Sequence, residues 1–125
     1  MSADESACVL VVDDSLDMAE MLADDLCDRG YRGIGVASGE EALHVLRSER
    51  VDALVTDVTM PTIDGFTLLR ASIRLDPSRP VILMTAYGSL DAALEASGRG
   101  AYHYILKPFR TSELVQVLAR ALERR

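Results

Sequence analysis

Several features that define whole classes of protein are missing or scarce in this chain of 125 residues. Twelve of its 13 basic residues are arginine, which leaves Lys107 as the single lysine. No apolar run approaches the roughly 20 residues of a membrane-spanning helix, and the first residues do not have the pattern of a signal peptide. With a net charge of −7 and no basic cluster, the chain is expected to bind neither nucleic acid nor a membrane.

Cysteine is also scarce, and Cys8 and Cys27 lack the spacing of metal ligands. We expect both to be buried, reduced thiols of a cytoplasmic protein. The remaining composition, 49% hydrophobic and 26% charged residues, is typical of a globular domain. The length suits one domain of ordinary size, and we predict a single domain over residues 1–125 with a core from about residue 7 to residue 124.

Short apolar segments alternate along the chain with segments of helical periodicity. The predicted strands are residues 8–12, 32–37, 51–56, 81–84 and 102–106. Helices are predicted to follow the capping residues Ser15, Ser38, Asp64, Ser89 and Thr111. Strict alternation predicts a doubly wound α/β fold, with a parallel sheet covered by helices on both faces. The first, third and fourth strands are the most apolar and therefore central, which gives the flavodoxin-like strand order 2-1-3-4-5.

Polar residues follow four of these predicted strands. Asp13 and Asp14 follow the first strand, Asp57 the third, Thr85 the fourth and Lys107 the fifth. The carboxyl ends of parallel strands lie at one edge of the sheet, where doubly wound folds bind their ligands. A single acid in such a position is commonly a loop or capping residue. Together, however, these positions predict a pocket with three carboxylates, a hydroxyl and an ammonium group.

Three neighbouring carboxylates repel one another, so this pocket requires a cation. Oxygen ligands without histidine or cysteine favour Mg²⁺, for which Mn²⁺ is expected to substitute. The charges of Mg²⁺ and Lys107 balance those of Asp13, Asp14 and Asp57. Such a pocket suits phosphoryl transfer, which needs positioning and charge neutralisation. Asp57 lies at the centre and is the predicted nucleophile, while Thr85 and Lys107 are predicted to bind phosphoryl oxygens.

Four segments at these strand ends resemble the receiver domain of bacterial two-component response regulators. They are residues 11–14, 57–65, 84–86 and 100–109. The resemblance extends over about residues 7–124. Residues 85–89 and 101–109 are most similar to receivers that precede the ATPase domain of enhancer-binding transcription activators. The chain is accordingly expected to be a stand-alone receiver or the first part of a longer protein.

The resemblance implies that Asp57 accepts a phosphoryl group from the phosphohistidine of a sensor kinase or from a phosphotransfer protein. It implies that the three aspartates hold Mg²⁺ together with the backbone carbonyl of Thr59. It also implies a cis peptide bond between Lys107 and Pro108. Self-dephosphorylation is expected, but not the multiple turnover of a classical enzyme.

The resemblance further implies a switch, in which Thr85 moves toward the phosphoryl group and Tyr104 turns inward. This movement would alter the surface formed by the helix predicted from Ser89, the fifth strand and the last helix. A second copy, another partner or a downstream effector domain would read that surface. His44 and His103 are expected to lie on the surface without a role in phosphoryl transfer.

Three other functions stay open at this point. The chain could be a receiver that docks partners without using phosphate. It could be an aspartate-nucleophile phosphatase, although such enzymes normally carry Asp-x-Asp on the first strand and this chain has Asp13 and Asp14 side by side. It could also be a flavodoxin-like FMN protein, although no phosphate-binding Ser/Thr/Gly loop follows the first strand.

Overall fold

A five-stranded parallel sheet forms the centre of the molecule. The computed structural model describes residues 6–86 and 100–123. The strands are β1 (Cys8–Val12), β2 (Arg32–Val36), β3 (Ala53–Asp57), β4 (Val81–Thr85) and β5 (His103–Leu106). All neighbouring strands pair in parallel, in the order β2-β1-β3-β4-β5. This is the order predicted from strand polarity, and the parallel pairing confirms the doubly wound fold predicted from the alternation of strands and helices.

Four helices within the described residues cover the sheet. They are α1 (Leu16–Asp28), α2 (Gly39–Ser48), α3 (Gly65–Leu75) and α4 (Thr111–Glu123). The helix predicted from Ser89 lies outside the described residues. None of the four helices is long and apolar enough to cross a bilayer.

The capping residues begin three of these helices as predicted. The side chains of Ser15, Ser38 and Asp64 each accept a hydrogen bond from the backbone N–H three residues further on. Such caps typically contribute about 1 kcal/mol each. Thr111 differs from its prediction as a cap, because it is the first residue of α4 and its hydroxyl donates to Asp25 Oδ2 of α1 at 3.0 Å. This hydrogen bond ties the start of α4 to α1.

Alternating side chains of the central strands supply two separate apolar layers, because successive residues of a strand point to opposite faces. One layer packs against α2 and α3 and the other against α1 and α4. The first layer includes Leu10, Leu54, Leu68, Leu69 and Leu83. The second includes Val9, Leu26, Val55, Ile82 and Leu118. Each fully buried side chain of this size contributes about 1.5–3 kcal/mol, so the sheet is held firmly from both faces.

The glycines of the edge strand β2 allow α1 to pack closely against it. A Cβ at Gly33 would lie 2.3 Å from the carbonyl oxygen of Ala23, and one at Gly35 would lie 2.7 Å from that of Ala19. A side chain at either position would therefore force helix and strand apart. The weak apolar pattern of β2 reflects this close contact as well as its place at the edge.

Two further details differ from the sequence-based predictions. The ladder of β3 begins at Ala53 instead of Val51, while Asp52 is fixed to β1 by its carboxylate, which accepts the N–H of Cys8 at 2.8 Å. Both cysteines are free thiols, and Cys8 is buried as expected, but Cys27 is exposed. The Cys27 sulfur lies at the end of α1 and accepts the N–H of Gly33 at 3.3 Å.

Candidate functional site

The carboxyl edge of the sheet places the polar side chains predicted from the sequence at the ends of four strands. Asp13 and Asp14 follow β1, Asp57 and Thr85 are the last residues of β3 and β4, and Lys107 follows β5. The strands pair without a break from β1 through β3 and β4 to β5. Their shared edge therefore gathers residues that lie up to 94 positions apart in the chain.

Lys107 bridges two of the carboxylates. Its Nζ donates to Asp13 Oδ2 at 2.7 Å and to Asp57 Oδ2 at 3.1 Å. The side chains of Asp13, Asp57 and Lys107 are only 7%, 14% and 27% exposed, so water screens these interactions less than it screens a surface ion pair. The peptide bond between Lys107 and Pro108 is cis. The backbone N–H of Lys107 donates to the Thr85 carbonyl oxygen at 2.7 Å. The backbone thus holds the ammonium group over the acids.

The three carboxylates form a cluster of the size that a single cation requires. One oxygen each from Asp13, Asp14 and Asp57 lies within 4.8 Å of the other two. Asp13 is buried, Asp57 is half-buried and Asp14 is exposed, so the cluster opens to solvent on one side. Oxygen donors with an open side fit Mg²⁺, which retains several of its waters or exchanges them for phosphate oxygens. The Ser15 N–H donates to Asp13 Oδ1 at 2.9 Å and orients that carboxylate.

Burial and the neighbouring charges shift the pKa values of Asp57 and Lys107. Burial raises the pKa of Asp57, and the charges of Asp13 and Asp14 raise it further, while Lys107 acts in the opposite direction. Burial alone would lower the pKa of Lys107, but its hydrogen bonds and ion pairs with Asp13 and Asp57 raise it above the ordinary value. Lys107 is therefore firmly protonated, and Asp57 lies in a pocket with an excess of negative charge.

The two residues of the predicted switch occupy different environments. Thr85 is buried, with 6% of its surface exposed. Tyr104 is half-buried and packs against the core layer of α2 and α3, and its ring stacks on that of His103 with centroids 6.0 Å apart. The histidines His44 and His103 are exposed, as expected. Tyr104 therefore lies at a boundary between core and solvent.

The loop from β3 to α3 packs tightly behind Asp57. A Cβ at Gly65 would lie 2.4 Å from the Asp57 carbonyl oxygen and 2.8 Å from the Cα of Val58. The Gly65 N–H donates to the Val58 carbonyl at 2.9 Å. Only glycine permits this approach, which explains why glycine ends the segment of residues 57–65. Thr59, within the loop, is exposed.

An apolar groove beside the pocket was not predicted from the sequence. It has a volume of about 490 Å³ and runs between α1 and the start of α4, with Asp13 and Lys107 in its wall. Met18 and Met21 of α1 line it and are 53% and 62% exposed. The available signal was that both methionines lie outside the apolar face that Ala19, Leu22, Ala23 and Leu26 form in the helix after Ser15. A contiguous exposed apolar surface commonly marks a binding site.

Comparison with known proteins identifies the class that this fold and pocket define. The family model of the response regulator receiver domain matches residues 9–119. The chain therefore belongs to the response regulator receiver family. This match favours the receiver over the FMN-protein and phosphatase alternatives. The acidic cluster of Asp13, Asp14 and Asp57 fits the Mg²⁺ site typical of the family.

Curated relatives include several bacterial transcription regulators. The chain is 42% identical over 115 residues to the response regulator protein FleR of Pseudomonas aeruginosa, covering 92% of this chain and 24% of FleR. It is 39% identical over 114 residues to the DNA-binding transcriptional regulator NtrC of Escherichia coli, covering 91% of this chain and 24% of NtrC. The chain thus spans about a quarter of the length of these relatives. Their similarity agrees with the resemblance to enhancer-binding regulators.

Solved structures show the same fold over nearly their whole length. The chemotaxis protein CheY4 of Vibrio cholerae superposes with a TM-score of 0.87 at 32% identity, covering 93% of this chain and 98% of CheY4. The receiver domain of NtrX from Brucella abortus has a TM-score of 0.86 at 31% identity, covering 94% of this chain and 99% of that domain. A chemotaxis protein and the receiver domain of NtrX thus share the fold of this chain.

Proposed function

We propose that this receiver accepts a phosphoryl group on Asp57 from the phosphohistidine of a sensor kinase or a phosphotransfer protein. The observation that carries the proposal is the position of Lys107, whose ammonium group bridges Asp13 and Asp57 at one side of a three-carboxylate cluster. This arrangement supplies a nucleophile, a cation binder and a fixed positive charge in one pocket. These are the parts that phosphoryl transfer to a carboxylate requires.

In the proposed reaction, an Asp57 carboxylate oxygen attacks phosphorus, an O–P bond forms and the P–N bond to the donor imidazole breaks. The imidazole nitrogen takes the bond electrons and a proton. The Lys107 ammonium group gives up its hydrogen bond to Asp57 Oδ2 and binds a phosphoryl oxygen. Its hydrogen bond to Asp13 is retained and keeps the ammonium group in the pocket. The Thr85 hydroxyl donates to another phosphoryl oxygen. Asp13, Asp14 and Asp57, with the Thr59 carbonyl, would hold Mg²⁺, which neutralises charge on the transferred group.

The proposed output follows from the same residues. When Thr85 binds the phosphoryl group, Tyr104 moves further into the core from its present half-buried position. The surface formed by the helix predicted from Ser89, β5 and α4 then changes. A second copy of the chain or an effector domain reads this surface. The phosphoryl group is later lost by self-dephosphorylation. In this proposal the chain is a single receiver domain over residues 1–125, which acts as a switch in the cytoplasm.

The test is incubation with acetyl phosphate and Mg²⁺, followed by intact mass measurement. Wild type is expected to gain the mass of one phosphoryl group, and Asp57→Asn is expected to gain none. Asp64→Asn serves as the matched control, because Asp64 is an exposed acid at the cap of α3 and asparagine caps equally well. An equal adduct on Asp57→Asn would contradict the assignment. No adduct on wild type would favour the receiver that docks without phosphate.

A further inference from the structure

Thr56 places a hydroxyl in the interior of the central strand. Its side chain has no exposed surface, and its partners in the ladder are the apolar residues Val12 of β1 and Leu83 of β4. Valine has nearly the same shape and would fill this position without burying a polar atom. A polar residue that breaks the local apolar pattern is expected mainly where it serves function.

The hydroxyl of Thr56 bonds to the backbone of the phosphoacceptor itself. Its Oγ1 donates to the Asp57 carbonyl oxygen at 3.1 Å. The other end of the same peptide unit is also held, because the Val58 N–H donates to the Met84 carbonyl at 2.9 Å. Gly65 packs against the same Asp57 carbonyl from the side of α3. Because a peptide unit is planar, these contacts fix its rotation on both sides.

We propose that Thr56 is a positioning residue, which orients the peptide unit after Asp57 and thereby the phosphoacceptor and the metal-binding loop. This inference rests on the proposed function. The torsion of that peptide sets the direction in which the chain leaves Asp57 toward Thr59, whose carbonyl is the further ligand proposed for Mg²⁺. The orientation of the same peptide unit also helps to hold the Asp57 carboxylate in contact with Lys107 Nζ, at 3.1 Å. Small displacements of such groups are sufficient to slow a reaction that depends on positioning.

The test compares Thr56→Val, which keeps the shape and removes the hydroxyl, with Thr56→Ser, which keeps the hydroxyl and removes the methyl group. Three quantities are measured for each: the Mg²⁺ dissociation constant by calorimetry, the acetyl phosphate reaction rate at saturating Mg²⁺, and the urea midpoint without Mg²⁺. Ser72→Ala is the control, because Ser72 is a fully buried hydroxyl that contacts Arg79. Arg79 precedes β4 and therefore lies at the edge of the sheet opposite to the pocket.

Thr56→Val is expected to weaken Mg²⁺ binding and slow phosphorylation, each by about two- to tenfold, the range for the loss of one hydrogen bond. Thr56→Ser is expected to stay within about twofold of wild type in both, although its buried cavity lowers the urea midpoint below that of Thr56→Val. Ser72→Ala is expected to lower only the midpoint. Thr56→Val would thus be the more stable of the two Thr56 variants but the weaker in Mg²⁺ binding and phosphorylation.

Two results would overturn the positioning role of Thr56. One is a Thr56→Val protein with unchanged Mg²⁺ affinity and rate. The other is a Thr56→Ser protein as impaired as Thr56→Val, because then the volume of the side chain matters and not its hydroxyl. A wild-type protein that neither binds Mg²⁺ nor accepts a phosphoryl group would overturn the proposed function together with this inference.

Discussion

Lys107→Arg keeps the charge of the pocket but changes the shape of the cation, so it separates geometry from charge. In the wild type a single nitrogen lies 2.7 Å from Asp13 Oδ2 and 3.1 Å from Asp57 Oδ2. A guanidinium is planar and longer, and its nitrogens form a fork that pairs best with the two oxygens of one carboxylate. It therefore cannot take over both contacts without displacing one acid.

The expected loss is that of one charge-assisted hydrogen bond, about 1.5–3 kcal/mol. If this loss falls on the transition state, phosphorylation slows by about 10- to 150-fold. Stability should change little, within about 1 kcal/mol, because the arginine still neutralises the acids. Lys107→Met is the companion variant. It removes the charge from a pocket in which Asp13 and Asp57 are mostly buried, and it is expected to lose about 2 kcal/mol or more of stability without Mg²⁺.

The assay is the time course of the phosphoryl adduct by intact mass, with acetyl phosphate at saturating Mg²⁺, alongside urea unfolding of each variant without metal. A Lys107→Arg protein that reacts at the wild-type rate would refute the geometric reasoning. A Lys107→Arg protein that unfolds as readily as Lys107→Met would refute the charge reasoning.

The remaining predictions concern the metal, the loop behind Asp57 and the cap of α3. Mg²⁺ at 100 times its dissociation constant should stabilise wild type by about 2.7 kcal/mol, seen as a higher melting temperature that EDTA reverses, and Asp13→Asn should lose most of this gain. Gly65→Ala should destabilise by about 1–3 kcal/mol in urea unfolding and also slow phosphorylation, since its Cβ would press on the Asp57 carbonyl. Gly30→Ala is the control, because an added Cβ meets no atom there and only the φ of +94° is strained. It should lower stability without slowing phosphorylation, and an equal slowing by both variants would contradict the role of Gly65. Asp64→Ala should cost about 1 kcal/mol in the same unfolding assay, and an unchanged midpoint would show that this cap is dispensable.

Local patterns predicted the fold well because most elements obey local rules. The continuous apolar runs at residues 8–12 and 81–84 are buried strands, and Ser15, Ser38 and Asp64 cap their helices. Contacts between distant segments were not predictable in the same way. Thr111 forms a hydrogen bond with Asp25 of α1 instead of capping its own helix, and Cys27 is exposed despite its apolar character.

The residues of the pocket were predictable as a set, because the topology of a parallel sheet decides which strand ends meet. Their individual roles depend on tertiary packing. The sequence did not indicate that Lys107 would contact Asp13 as well as Asp57, or that Asp14 would be the exposed member of the three acids. Thr56 was included only as part of an apolar strand, since its function depends on a hydrogen bond to its neighbour's carbonyl.

Locating the phosphoryl group within the chain tests the central claim most directly. After reaction with acetyl phosphate and Mg²⁺, borohydride reduction converts an aspartyl phosphate to homoserine, and peptide mass spectrometry then identifies the changed position. The account predicts homoserine at position 57 and at no other aspartate. Homoserine at Asp13 or Asp14, or unmodified Asp57 in a protein that carries the adduct, would contradict it.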